Sequence, residues 1–177
     1  MLRPIIRLSL AIVCLFLFAS SAGAIERGPL PSFTIRTPDG GVIGSDRLIR
    51  TGQWLLVIVR PECPPCEAVL RAIGAASTSS EGPIVEKVVI VVGGDPVAAL
   101  ARWGERFGAL AGASWLADPD GAAVASIRAL DAPTIVGIRG GMIEWTVGGV
   151  LSDSADVRSI VSSWVGGSSH VAGVGLR

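Results

Sequence analysis

The 177-residue sequence contains no tyrosine, a single histidine and three cysteines, and only 17% of its residues are charged. Each scarcity excludes something. Fifteen basic and fifteen acidic residues leave a formal charge of zero, so there is no electrostatic case for a nucleic-acid partner. A zinc site built on two thiolates needs about two further ligands, and the one histidine, His170, stands near the C-terminus, which rejects zinc. Three cysteines, one of them at position 14, cannot form the dense framework of a disulfide-stapled scaffold. Half of the residues are hydrophobic, which argues against a disordered chain and suffices for one domain with a real core. The five tryptophans are scattered and read as core or rim packing. No internal repeat is visible.

The N-terminus has the pattern of an export signal. Arg3 and Arg7 precede a short apolar stretch, Leu8 to Phe18, and Ala22-Gly23-Ala24 supplies a small-x-small cleavage pattern. Residues 1–24 are therefore expected to direct export and to be cleaved, an uncleaved membrane anchor being the alternative. Cys14 reads as filler within this segment, because Val13 is not the small residue a lipid-attachment cysteine requires before it. Without residues 1–24 the chain keeps 13 basic and 15 acidic residues, a charge of −2, and two cysteines. Both lie in Cys63-Pro64-Pro65-Cys66.

That motif sits between two different periodicities. The apolar run within Gln53 to Arg60 predicts a strand buried on both faces. The stretch Glu67 to Ile73 predicts a helix, followed by a surface loop over Gly74 to Gly82. A sulfur at such a junction occupies a helix N-terminus, where a thiolate is stabilised. Phe33 to Arg36 and Val42 to Gly44 predict a small hairpin around Pro38-Asp39-Gly40-Gly41, after an extended entry at Gly28 to Pro31. Further along, Ile84 to Val92 predicts a second buried strand. Asp95-Pro96 predicts a helix start with Asp as cap, and Gly108 its stop. Ala113 to Ala117 predicts a short strand, and Asp118-Pro119-Asp120-Gly121 a turn into a helix through Ile127. Ala132 to Ile138 and Met142 to Val147 predict a terminal hairpin, and Asp153 or Ser154 caps a last helix reaching Trp164. Residues 166–177 read as a Gly/Ser-rich tail. Strands alternating with helices predict α/β layers, and the terminal hairpin a mixed sheet.

With Cys63-Pro64-Pro65-Cys66 after a buried strand and Ala132-Pro133-Thr134 before a hairpin, the chain resembles the thioredoxin-like superfamily, in particular exported thiol:disulfide interchange proteins of the TlpA/ResA/MauD type. The resemblance covers about residues 30–165 and includes Asp118-Pro119-Asp120-Gly121. It implies an α/β thioredoxin-like fold over 25–165: a mixed central sheet flanked by helices, an N-terminal β-hairpin, and an extra strand–helix segment between the cysteine motif and a cis-proline. It implies thiol:disulfide oxidoreductase activity without a cofactor. Cys63 would be the nucleophile and Cys66 the resolving residue, three positions on and on the same face. Pro133 would be the cis-proline, bringing the Ala132 backbone beside the sulfurs so that a substrate segment can add as a strand at Ala132, Pro133 and Thr134. An ordinary trans-proline opening an edge strand is the alternative, and the spacing and following hairpin favour cis.

The residues around the motif bear on redox poise. Pro64 and Pro65 lack an N–H, which leaves Cys66 as the main local backbone donor to the Cys63 thiolate. Glu62 destabilises a nearby anion and Arg60 opposes it. The balance predicts a reducing pair. Two departures from the family stand out: Glu62 occupies a position often held by Trp, and Leu55 to Val59 carries no acid to serve Cys66. The expected partners are disulfide-bearing exported proteins and a membrane or periplasmic thiol that supplies electrons. Cytochrome c maturation and maturation of a disulfide-rich dehydrogenase subunit are the destinations the resemblance implies. A structural staple across so short a loop would contribute only about 2 kcal/mol. No Thr precedes Cys63 in the peroxidase pattern. A Cu(I) chaperone and a non-catalytic partner-binding module remain as rivals, the first lacking the wider cysteine spacing and downstream core histidine such proteins use.

Overall fold

Gln53–Val59 (β4) is apolar at every position after Gln53, and each of those side chains is buried. Alternate residues serve two different cores. Leu55, Val57 and Val59 belong to one, and Trp54, Leu56 and Ile58 to the other, the two-residue period of a strand covered on both faces.

The computed structural model describes residues 27–48, 51–79, 84–149 and 154–165. Around β4 these residues add Gly28–Pro29 (β1), Thr34–Arg36 (β2), Val42–Gly44 (β3), Val88–Gly93 (β5), Ser114–Asp118 (β6), Thr134–Arg139 (β7) and Met142–Gly148 (β8). The eight strands form one mixed sheet in the order β1-β8-β7-β4-β5-β6-β2-β3. β4, β5 and β6 run parallel, whereas β7 is antiparallel to β4 and β8 to β7. Pro64–Ser79 (α1) and Ser154–Val165 (α4) cover one face through Val69, Leu70, Ile73, Val157 and Val161, and Leu100–Arg106 (α2) adds Leu100 there. Ala122–Ile127 (α3) covers the other through Ala123 and Ile127. The expected α/β layers and mixed sheet are present. The expected N-terminal hairpin is present too, with β2 joined to the sheet edge through Arg36 opposite Ala117.

Three local expectations are corrected. The first helix does not stop at Ile73 but runs to Ser79. Ala76 extends its buried face, and the hydroxyls of Ser77 and Thr78 donate to the Ile73 and Ala75 carbonyls, so serine and threonine are accommodated inside the helix. Gly74 permits the fit, since a Cβ there would lie 3.0 Å from the Ala109 Cβ. The second central strand begins at Val88, not Ile84. Glu86 and Lys87 interrupt the apolar run, Ile84–Lys87 forms a 3-10 turn, and Lys87 Nζ donates to the Val165 carbonyl at 2.8 Å. Asp95 does not cap the next helix; its carboxylate accepts the Trp103 indole N–H at 3.0 Å, and the segment enters α2 through a 3-10 turn at Val97–Ala99. The entry at Gly28 is extended as expected, and Gly28–Pro29 pairs with Ile143 and Met142 as a short edge strand. The expected signal (1–24), Cys14, the Asp153 cap and the tail from 166 lie outside the described residues.

One glycine is demanded by packing. Gly137 of β7 stands opposite Trp145 of β8, and a Cβ at 137 would overlap the Trp145 indole. Trp145 therefore lies across β7 and meets Trp164 of α4 edge-on, with ring centroids 5.4 Å apart.

Candidate functional site

The start of α1 accounts for its backbone donors with little left over. The first residues of a helix present N–H groups with no partner inside the helix. Pro64 and Pro65, the first two helical residues, have no N–H to satisfy. The next two donors both turn to Cys63: Cys66 N donates to Cys63 Sγ at 3.2 Å, and Glu67 N to the Cys63 carbonyl at 3.2 Å. Cys63 thus caps the helix with its sulfur and its carbonyl oxygen. The two sulfurs are joined as a disulfide, 2.15 Å apart, with Cα atoms separated by 5.2 Å. Cys66 is 0% exposed and sits in the core, whereas Cys63 is half-buried and Pro64 exposed. The asymmetry follows from position, one sulfur at the rim of the helix and the other one turn inside.

A second loop closes on the first. Cys63 Sγ lies 3.7 Å from the Ala132 carbonyl oxygen, and the Ala132–Pro133 peptide bond is cis. Behind it, the Pro133 carbonyl accepts Gly149 N at 3.0 Å. Thr134 is buried and its hydroxyl donates to the Asp131 carbonyl, so its side chain braces the loop from within, while Ala132 stays half-buried beside the sulfur. The loop leaves α3 at Arg128, which adopts the left-handed conformation, with Ala129 N bonded back to the Val124 carbonyl at 2.9 Å. Leu130 is then turned outward, 79% exposed.

The charged residues named in the sequence stand at the rim. Glu62 is exposed and has a left-handed φ of 53°. Arg60 is exposed and its guanidinium reaches across to the Leu130 carbonyl at 3.5 Å, so it links the loop before Cys63 to the loop before Pro133. Sequence reasoning missed a third charged group. Glu67, directly after Cys66, accepts from Arg71 at 3.0 Å and from Arg106 of α2 at 2.7 Å. The four-residue spacing of Glu67 and Arg71 was a visible signal; the Arg106 contact, spanning 39 positions, was not.

No family model and no curated protein matches the chain. Solved structures do. The structure of MTB DsbF in its mixed oxidized and reduced forms aligns with 74% of this chain and 93% of its own, at 22% identity and a TM-score of 0.58. A secreted Mycobacterium tuberculosis disulfide oxidoreductase homologous to E. coli DsbE covers 74% and 95%, at 19% identity and a TM-score of 0.57. A thiol:disulfide interchange protein of the thioredoxin family from Chlorobium tepidum covers 79% and 97%, at 16% identity and a TM-score of 0.54. The fold is thioredoxin-like. In this thioredoxin-like chain the paired sulfurs lie between the β4–α1 junction and the loop entering β7. Among the described residues no helix is long and apolar enough to cross a membrane.

Proposed function

We propose that this chain is an exported thiol:disulfide oxidoreductase that exchanges its Cys63–Cys66 pair with disulfides of other proteins, acting as a reductase or partner-specific maturation factor. One observation carries the reading: a half-buried Cys63 sulfur 3.7 Å from the Ala132 carbonyl, with Cys66 fully buried behind it. In the reduced protein the Cys63 thiolate attacks one sulfur of a partner disulfide and displaces the other as a thiolate. Cys66 gives up its proton, attacks Cys63 Sγ, and releases the partner as a dithiol. Two electrons pass to the partner and the chain is left oxidised. Two external thiols, or one dithiol, then return it to the dithiol and are left as a disulfide. A partner segment running past Ala132, Pro133 and Thr134 would be held by main-chain bonds. The neighbours named as a disulfide oxidoreductase and as a thiol:disulfide interchange protein support this reading, and the one named as secreted supports export through residues 1–24.

The reducing direction rests on the surroundings of Cys63. One backbone N–H, from Cys66, faces its sulfur, and Pro64 and Pro65 supply none. The Ala132 carbonyl on the other side accepts a hydrogen bond from a thiol and repels a thiolate. A less stabilised thiolate gives a more reducing pair.

Cys66→Ser in an exporting host is the test. It should accumulate mixed disulfides through Cys63 with native partners, which reduction resolves. Absence of trapped species together with tight Cu(I) binding by the dithiol would replace this reading with metal handling. Equilibration with glutathione then measures the direction, and a strongly oxidising potential would remove the reductase assignment.

A further inference from the structure

The ion cluster beside Cys66 has no part in the exchange steps above, yet it begins one turn after the nucleophile that caps α1. Cys63, Glu67 and Arg71 follow at four-residue intervals, and the Glu67 N–H is bonded to the Cys63 carbonyl. Within α1 that spacing makes Glu67 and Arg71 neighbours, and the Cys63 cap stands one turn before Glu67. Glu67 is the anion of the group, its side chain 20% exposed. Arg106 meets both of its carboxylate oxygens, Nη1 to Oε1 at 2.7 Å and Nη2 to Oε2 at 2.8 Å. Most surface ion pairs contribute little because both partners are mobile. This one is forked, shared with Arg71, and its cation is also held over the Phe107 ring, 5.8 Å from the centroid. Phe107 in turn stacks with Trp103 and Trp115. Arg106 is therefore an ordered charge delivered from the segment between the cysteines and Pro133.

We propose that Glu67 and Arg106 are a positioning couple that sets the redox poise of the pair, Glu67 opposing negative charge on the Cys63 sulfur and Arg106 cancelling Glu67. The inference rests on the thiol–disulfide reading above and deepens it. When the disulfide accepts two electrons, negative charge appears on Cys63, one turn from Glu67. An uncompensated carboxylate there raises the energy of the reduced form; the Arg106 fork lowers it again. Arg71 of α1 also bonds Glu67, at one oxygen, and the surrounding loops carry Arg60, engaged with the Leu130 carbonyl, Glu62 before Cys63, and Asp131 before Pro133. Glu67 and Arg106 are the two whose charge is fixed by a mutual fork, so α2 acts on the sulfur through Glu67.

The test is equilibration of the full domain with reduced and oxidised glutathione, in buffer alkaline enough for Cys63 to ionise. Two glutathione thiols reduce the protein disulfide and leave one glutathione disulfide, so the equilibrium constant reads the stability of the reduced form. Glu67→Gln should make the protein about three- to tenfold easier to reduce, and Arg106→Gln harder to reduce by a similar factor, the size expected for one unit charge at a partly solvated site. Ultraviolet absorbance of the thiolate should show Cys63 ionising at lower pH in the first variant and at higher pH in the second. Arg106→Lys, which keeps the charge, should stay near the parent protein, and raised ionic strength should shrink both shifts. Opposite signs are the decisive feature, because simple loosening of α1 against α2 would move both variants the same way. Same-direction shifts, or none, in a protein that does equilibrate with glutathione would overturn the couple and leave the oxidoreductase reading intact. A parent protein that never equilibrates would overturn both.

Discussion

Two kinds of left-handed turn occur in this molecule. Among the described residues, a positive φ is met by glycine at seven positions, Gly40, Gly52, Gly94, Gly121, Gly140, Gly141 and Gly149, which adopts it without a steric cost. At two others the residue carries a long charged side chain: Glu62, with φ 53°, and Arg128, with φ 58°. These two stand on the two loops that meet at the disulfide, one just before Cys63 and the other four residues before Ala132. A non-glycine residue held in this conformation costs roughly 1–2 kcal/mol. Arg128 has a local reason, since it ends α3 and its N–H bonds to the Ala125 and Val124 carbonyls. Glu62 is exposed and directs the chain from the end of β4 into α1. The contrast is one of place: glycine stands at the other reversals, whereas long side chains stand on the two loops that meet at the disulfide. Observed backbone outliers of this kind point toward function.

Exchange assays give the largest expected separation between the two classes. Cys63→Ser should abolish disulfide exchange altogether, while Gly52→Ala should leave the exchange rate unchanged and cost about 1 kcal/mol in a denaturant melt. Loss of exchange in the glycine variant would erase the distinction. Next comes packing away from the site. Gly137→Val drives a branched side chain into the Trp145 indole and should destabilise the domain by about 2–3 kcal/mol, with a change in tryptophan emission as Trp145 leaves Trp164. A near-neutral melt would show that β8 can shift to make room. Smaller effects follow at the two charged turns. Glu62→Gly and Arg128→Gly should each stabilise the fold by up to about 1 kcal/mol, and only Glu62→Gly should also change the rate of exchange with a protein disulfide. Equal rates for both variants would reduce Glu62 to an ordinary turn residue.

The smallest expected effect lies in the N-terminal hairpin and concerns pH. The Asp39 carboxyl is held below its ordinary value of 3.8, first by the Thr37 hydroxyl and then by backbone N–H groups of its own turn. A depressed folded-state value stabilises the fold above the unfolded value, and that contribution disappears as pH falls through the folded value. Thr37→Ala should return Asp39 toward ordinary titration in an NMR pH series. An unchanged midpoint would assign the shift to the backbone donors alone.

Much of this architecture was legible because it is encoded locally. The uninterrupted apolar run from Trp54 to Val59 belongs to a strand between two layers, and a Cys-x-x-Cys ahead of a helix places one sulfur at the rim and the other a turn inside. Errors arose where a local rule met a tertiary partner. Gly74 and the following serines read as a loop, yet the helix persists because Ala76 is buried and Gly74 lets the Ala109 turn approach. Asp95 has the features of a helix cap, yet a tryptophan eight residues on takes its carboxylate. At the site, the Ala132 carbonyl, the Arg60–Leu130 bond and the Arg106 fork join residues separated by 69, 70 and 39 positions, distances at which no periodicity carries information.

The sequence by itself determined which residues can make a sulfur pair and which strand must be central, because helical spacing and continuous hydrophobicity act over a few residues. Only the tertiary structure decided what faces that pair. The β4–α1 and α3–β7 connections meet because β7 lies against β4 in the sheet, and α2 brings Arg106 to Glu67 because Phe107 and Trp115 pack into the same core as α1. Those contacts depend on the burial of side chains from distant elements, a condition no single segment of the chain can express.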